Sequence, residues 1–376
     1  MAHEVKTTLT VLSGAGVPLP VPADVTAKIE TAEVRLSESG RSGFQLVVAD
    51  GRSGIAAVAD YPVLSRGLFE RFHRVVVVVT VAGLPHVLID GVVTCRELTV
   101  DPPKLVVTGE DLGVLMDVEE RNAEYPAQSD AVIAARLLAR YGRYGIVPLV
   151  VPPPSADVPT PVERVAVQTG TDLGHLTAMA ARHGYVFHLA AGPLPRSSTA
   201  YWGPAVPSGD VAPAVSYGAA PFGNVESLSF RVDGLAPASV RGFVQDRRTN
   251  RAVPVVGLGG GRPPLAVRPV RLTNGAGART VSYRDSGASA AEALATANAR
   301  AEESADAVTA TGKVDSTRYP GVLRPRQTVG VRGVGWQHDG LYRVRGVTHS
   351  IARGSYTQDF TLTREGVGST TVVVRP

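Results

Sequence analysis

The sequence predicts a mainly β protein with α+β insertions, built as two similar small β-barrels plus helix-containing inserted domains. Three observations carry this. Early and late in the chain, apolar and polar residues alternate with a period of two between glycine-bearing turns, as in antiparallel strands with one buried and one wet face. The late stretch, residues 327–365, follows the same order of strands and turns as residues 75–111. Between them the period lengthens to that of amphipathic helices, each opened by a capping residue.

In chain order, residues 32–37 and 44–49 read as a hairpin around 39–43. Residues 74–81 are almost all valine and predict a long buried strand, because β-branched side chains suit a pleated surface. Turns at 82–85 and 101–103 separate the strands 86–98 and 104–109, and 111–116 is a turn or short helix. Ser129 caps a helix over 130–141, with Ile133, Leu137, Leu138 and Tyr141 on one face and Gly142 at its end. Pro152, Pro153 and Pro154 break the chain, and 157–161 continues as an extended linker. Thr171 caps the next helix, 172–183, with Leu173, Leu176, Met179 and Ala180 inward and Gly184 as its stop. Residues 185–189 form a strand against that helix, and 190–210 read as a long loop around Tyr201 and Trp202.

Alternation resumes at 224–232 and 240–246, while the Gly- and Pro-rich stretch 254–279 is expected to be partly mobile. Ser289 and Glu292 make a capping box for a third helix running to about Val308, with an alanine inner face and Gly312 as its end. The expected domains are 1–118 (first barrel), 119–218 (α+β insert), 219–250 with 312–366 (second barrel), 251–311 (Gly/Pro-rich and helical insertion) and 367–376 (C-terminal tail). Aligning the repeat sets 329–334 against 75–81, 341–347 against 87–93 and 360–363 against 105–108, with Gly346 beside Gly91 and Thr348 beside Thr94.

Composition narrows the function. The chain of 376 residues is 44% hydrophobic and 19% charged, enough for two or three folded domains. The net charge of +4 comes without any dense basic run, which argues against nucleic-acid binding. Lys6, Lys28, Lys104 and Lys313 are the only lysines, so arginine carries most of the positive charge. Arginine grips carboxylates bidentately, although codon usage is the plainer explanation. Cys95 is the single cysteine, so no intrachain disulfide forms, and a strand position makes it core rather than nucleophile. The first residues lack a basic-then-apolar leader and no apolar run reaches membrane length. Cytoplasmic assembly without membrane insertion is therefore expected.

No motif predicts chemistry. The loop 257–264 is glycine-rich but lacks the lysine-serine pair of a phosphate loop and runs into Pro263 and Pro264, not into a helix. The eight histidines are scattered, with His183 and His188 lacking metal-ligand spacing. The acidic pairs Glu110-Asp111 and Glu119-Glu120 fit a solvated face better than a glycosidase. Catalytic, cofactor and metal sites are all expected to be none. Trp202 and Trp336, each placed in a polar loop, suit either sugar stacking or an interface.

Several stretches carry a family resemblance. Residues 90–94, 105–111 and 115–117 are similar to the first barrel of phage late-control protein D and its relatives. Tyr125-Pro126, then Ser129-Asp130 and the helix ending at Tyr141-Gly142, continue the match. Thr171-Asp172-Leu173, Leu176, Ala180 and 184–187 resemble its helix-plus-strand element. Residues 323–327, 340–344 and 347–349 resemble its second barrel. The resemblance implies a baseplate hub of a contractile phage tail or injection system, of the kind that forms the upper part of VgrG-type spikes, with tail-tube-like barrels. It implies a homotrimer between the hexameric tail tube and the trimeric spike, contacting tube protein, spike protein and other baseplate proteins. Because the chain ends at Pro376, the spike is expected to be a separate protein. A glycan or wall hydrolase using Glu119, Glu120 or Asp172, and a carbohydrate-binding module using Trp202 and Trp336, are the alternatives.

Overall fold

The computed structural model describes residues 6–51, 61–154, 165–205, 211–218, 223–236, 238–246, 250–259, 261–270, 279–284 and 288–370. The molecule is mainly β, as expected. Its centre is one sheet of 13 strands in which two five-strand units lie end to end. In the first unit Arg74–Val81 pairs with Leu84–Val100, which pairs with Pro103–Asp111, then Gly43–Ala49, then Ile29–Ser37. In the second, Thr328–Arg332 pairs with Gly340–Ala352, then Ser355–Arg364, then Val308–Asp315, then Val225–Val232. The connectivity is the same in both, so one five-strand unit occurs twice.

The repeat extends to backbone irregularities. A β-bulge at Ile29/Thr31 matches one at Val225/Ser227, and a bulge at Val93/Cys95 matches one at Val344/Gly346. At the entry to the third strand the hydrogen bonds also match. The Phe72 amide donates to the Val93 carbonyl and the Val93 amide to His73, as the Arg326 amide donates to Val344 and the Val344 amide to Gln327. Phe72 and Arg326 both hold positive φ, at 60° and 70°, a conformation uncommon outside glycine. These features correct the register of the sequence alignment. Val344 corresponds to Val93, Gly346 to Cys95, and Thr361 to Thr108.

The sixth strands differ. Thr7–Gly14 pairs antiparallel with Arg74–Val81, whereas Val211–Ser216 runs parallel to Thr328–Arg332. Each unit has its own core: Leu46, Val75, Val77, Val93, Leu105 and Val107 in the first, and Val308, Ala310, Val331, Tyr342, Val344 and Leu362 in the second.

Two inserts hang from this frame. Ser129 accepts from the Val132 amide and caps helix Asp130–Ala139, and Thr171 accepts from Gly174 and caps Asp172–Arg182. Ile133, Leu137, Leu138, Leu176, Met179 and Trp202 join them in a third core. In the second insert the capping box Ser289/Glu292 is present and the helix is Ala290–Ser304. Gly312 does not end it. The chain re-enters the sheet at Val308, and Gly312 faces Phe360 inside the Val308–Asp315 strand, where an added Cβ would strike Phe360 and Ser227. The alanine face is as predicted: Ala293, Ala297 and Ala301 are buried against Val240, Val244 and Val255.

The loop expected at 190–210 contains the strand Ser198–Pro204, parallel to Ile146–Val150 and antiparallel to Tyr185–Ala191; residues 206–210 lie outside the described residues. The linker expected at 157–161 also lies outside them. In the stretch expected to be mobile, Ala252–Gly257 and Ala266–Pro269 are paired strands, and 271–278 is not described.

Candidate assembly surfaces

The residues weighed for catalysis serve the fold. Asp172 is 1% exposed and accepts from Tyr141 at 2.8 Å and from Gln168 at 2.7 Å, while Arg140 stands 3.4 Å away. Tyr125 donates to the same Gln168 at 2.6 Å, closing the network. Burial, then the bond to Asp172, raises the Tyr141 phenol far above its usual range. Its burial and these partners make Asp172 part of the packed insert. Glu119 is exposed and paired with Arg121 at 2.6 Å, and Glu120 is also exposed. Glu110 pairs with Arg41 at 2.8 Å. Asp111 accepts from the Ser42 and Gly113 amides at 2.7 and 2.8 Å, and burial raises its pKa.

The cleft between the first unit and the α+β insert is lined by Asp90, Asp111, His188, Ser198 and Arg326. Two of its acidic groups are held, Asp111 by the amides above and Asp90 by Arg74, while His188 Nδ1 and Arg326 Nε are buried without a hydrogen-bond partner among the described residues. Arg74 holds Asp90 bidentately at 2.7 and 2.6 Å. Burial, then nearby Arg326, lowers the His188 pKa to about 3, so its ring is neutral. Among the described residues no group of three or more His, Cys, Asp or Glu side chains has metal-binding geometry, and no helix is long and apolar enough to cross a membrane.

The glycine loop is filled from within the chain. The Gly261 and Arg262 amides donate to Glu302 Oε1, the latter at 2.9 Å, and Gly257 lies so close to Ala297 that an added Cβ would come within 2.3 Å of its backbone. These two amides are thus satisfied by a carboxylate of the same chain. Cys95 is exposed, not core, and the segment it occupies has a strand on one side only among the described residues.

The two tryptophans separate. Trp202 is fully buried; its indole donates to the Leu176 carbonyl at 3.1 Å and its ring meets Tyr185 edge-on at 5.2 Å. It is a core residue and cannot stack on a sugar. Trp336 is 51% exposed on the loop before Gly340–Ala352, with Arg268 over its ring at 5.2 Å. That loop is built from below. Arg364, 1% exposed, lies over Tyr342 at 4.3 Å and donates to the Asp339 and Gln337 carbonyls at 2.9 and 2.5 Å. The Asp339 carboxylate accepts from Val334 at 3.0 Å, and His338 stacks on Phe230 at 4.4 Å. Gly333, Gly335 and Gly340 take the positive φ angles its turns require. The result is a shaped loop that holds an aromatic ring toward solvent.

The second surface is the junction of the two units. Gly340–Ala352 pairs first with Thr328–Arg332, then passes to the other unit and pairs with Ile29–Ser37, from Gly346 opposite Ser37 to Ala352 opposite Thr31. Arginines fasten it. Arg343 bridges Glu38 at 2.9 Å and also meets Asp306, Arg326 donates to the Glu38 carbonyl at 2.7 Å, and Arg324 donates to Val87 at 2.8 Å. Arg326 is 7% exposed, and burial lowers its pKa to about 10. His349 is fully buried at the junction, bonded to the Tyr356 hydroxyl at 3.0 Å, with its pKa lowered to about 3, first by burial and then by Arg324. Continuous backbone pairing plus these buried bonds fix the angle between the units. Sequence reasoning missed this junction, although the arginine bias was a signal for it.

No protein-family model matches the sequence, and no curated protein does. Solved structures match along nearly its whole length. The tail protein from Neisseria meningitidis MC58 is similar with a TM-score of 0.60 at 15% identity, covering 96% of this chain and 98% of that one. The prophage MuSo2 43 kDa tail protein from Shewanella oneidensis has a TM-score of 0.59 at 13% identity, covering 95% and 98%. An Escherichia coli component of the type VI secretion system, described as structurally similar to T4 bacteriophage tail proteins, has a TM-score of 0.53 at 16% identity, covering 93% and 78%. Likeness at this level of identity is likeness of fold, and the chain has the fold of these phage tail and secretion-system proteins.

Proposed function

We propose that this protein is a structural hub of a contractile phage tail or a related injection system, a homotrimer that adapts a hexameric tail tube to a trimeric spike and performs no catalysis. One observation carries the reading: the same five-strand unit occurs twice in one chain, with matching bulges. Three such chains around an axis present six alike units, so one face can meet sixfold symmetry while the assembly remains threefold. The rigid junction supports this, because a ring closes only if the rotation from unit to unit is fixed. The fold shared with phage tail proteins supports the setting. The two units stand for the two expected barrels, with Val308–Asp315 counted in the second unit and Ala238–Gln245 in the second insert. The partners follow from the reading: a tube protein above, a spike protein below, and other baseplate proteins around. The hydrolase reading loses its support because Asp172 is buried in a completed network and Glu119 is in an exposed ion pair.

Sedimentation velocity of the purified chain, alone and mixed with tube or spike protein, tests the proposal. A species of three chains is expected. A chain that stays monomeric under all of these conditions would overturn it.

A further inference from the structure

We propose that adjacent subunits join by pairing strand segment 96–100 of one copy with segment 228–232 of the next, repeating between chains the junction found within the chain. The inference rests on the hub reading and specifies the contact by which that trimer would close.

Within the chain, the second half of Gly340–Ala352 pairs with Ile29–Ser37 of the other unit. By the repeat, Gly340–Ala352 corresponds to Leu84–Val100, and Ile29–Ser37 to Val225–Val232. Neither counterpart has the corresponding neighbour. Leu84–Val100 pairs with Arg74–Val81 only as far as Val92, and among the described residues no strand borders its outer edge beyond Val93. Among the described residues Val225–Val232 is the last strand at its end of the sheet and pairs only with Val308–Asp315. Two bare edges are thus left where the repeat predicts a junction. Bare edges invite pairing with another chain.

The matching bulges fix the register. Val34, Arg35 and Leu36 correspond to Phe230, Arg231 and Val232, and Thr348, His349 and Ile351 correspond to Glu97, Leu98 and Val100. Transferring the intrachain pairs His349 with Val34, Thr348 with Arg35 and Ile351 with Ala32 sets Leu98 opposite Phe230, Glu97 opposite Arg231 and Val100 opposite Leu228. The chemistry of both edges agrees. On one face Leu98 and Val100 meet Phe230 and Leu228, and on the other Glu97 meets Arg231. Opposite charges and apolar pairs directly across antiparallel strands both favour pairing. In the free chain Val100 is 68% and Val232 49% exposed, and the Arg231 side chain is 82% exposed beside Asp233, while Leu98, Leu228 and Phe230 are half-buried. Because the two edges are different surfaces, the contact is head-to-tail, the kind that closes into a ring.

A disulfide reads the register directly. Thr99 falls opposite Ser229, and the two lie on strands far apart in the sheet of a single chain. In a Cys95→Ser background, Thr99→Cys with Ser229→Cys should oxidise to covalently linked chains of up to three. Thr99→Cys with Leu228→Cys, whose side chain points to the other face, should not. Separately, Arg231→Glu and Glu97→Arg should each lower the trimer fraction, and the two together should restore it. A trimer by sedimentation with no Thr99–Ser229 link and no charge-swap rescue overturns this inference and leaves the hub reading standing. A chain that never trimerises removes both.

Discussion

Buried arginine side chains tie loops and the junction of the two units through backbone carbonyls and a carboxylate. Arg364 supports the Trp336 loop through two carbonyls, and Arg343 and Arg326 hold the junction through Glu38. The two tryptophans make a direct comparison. Trp202→Ala should cost about 3–5 kcal/mol in chemical denaturation, the usual loss when a buried aromatic is truncated. Trp336→Ala should stay within about 0.5 kcal/mol, as a surface change does, while weakening any partner contact the loop makes. His349 gives the molecule a pH dependence. Its folded pKa, about 3, lies below the ordinary value of 6.5, so the fold favours the neutral ring. The stability this contributes is complete above the ordinary value and is lost as pH falls from there toward the folded pKa. Denaturant midpoints should therefore drop through that acid window, and His349→Gln should flatten part of the drop; an unchanged profile would place the sensitivity elsewhere, for example at His188.

At the scale of elements, local signals were legible and distant ones were not. Ser129, Thr171 and the Ser289/Glu292 box cap the helices the sequence assigned to them, because a cap is made within one turn. The Val308–Asp315 strand was hidden behind that third helix, since its partners Val225–Val232 and Ser355–Arg364 are far away in sequence. Trp202 was hidden for the same reason: its strand lies parallel to Ile146–Val150, and the surrounding Gly, Pro and Ser residues read as loop. The repeat itself was legible as alternation, but its register was not, because a two-residue pattern fits several shifted alignments equally well. The contact of Gly257 with the alanine helix makes a prediction at this scale. Gly257→Ala should destabilise by about 1–3 kcal/mol in thermal or denaturant unfolding, the range for forcing extra volume into a packed core. A neutral result would mean that the helix can move away from the sheet.

At the scale of the molecule, the expected fold class holds. Every acidic residue weighed for hydrolysis is either bonded into the fold or exposed on a solvated face. The described residues offer a shaped aromatic loop, two bare sheet edges and a paired internal junction, which suit the assembly proposed. The measurement that tests this most directly is an electron-microscopy average of the purified oligomer viewed down its axis. The account predicts three chains forming a closed ring of six similar lobes, evenly spaced about the centre. A particle whose lobes do not number six, or whose two barrels per chain lie at different radii, would contradict it.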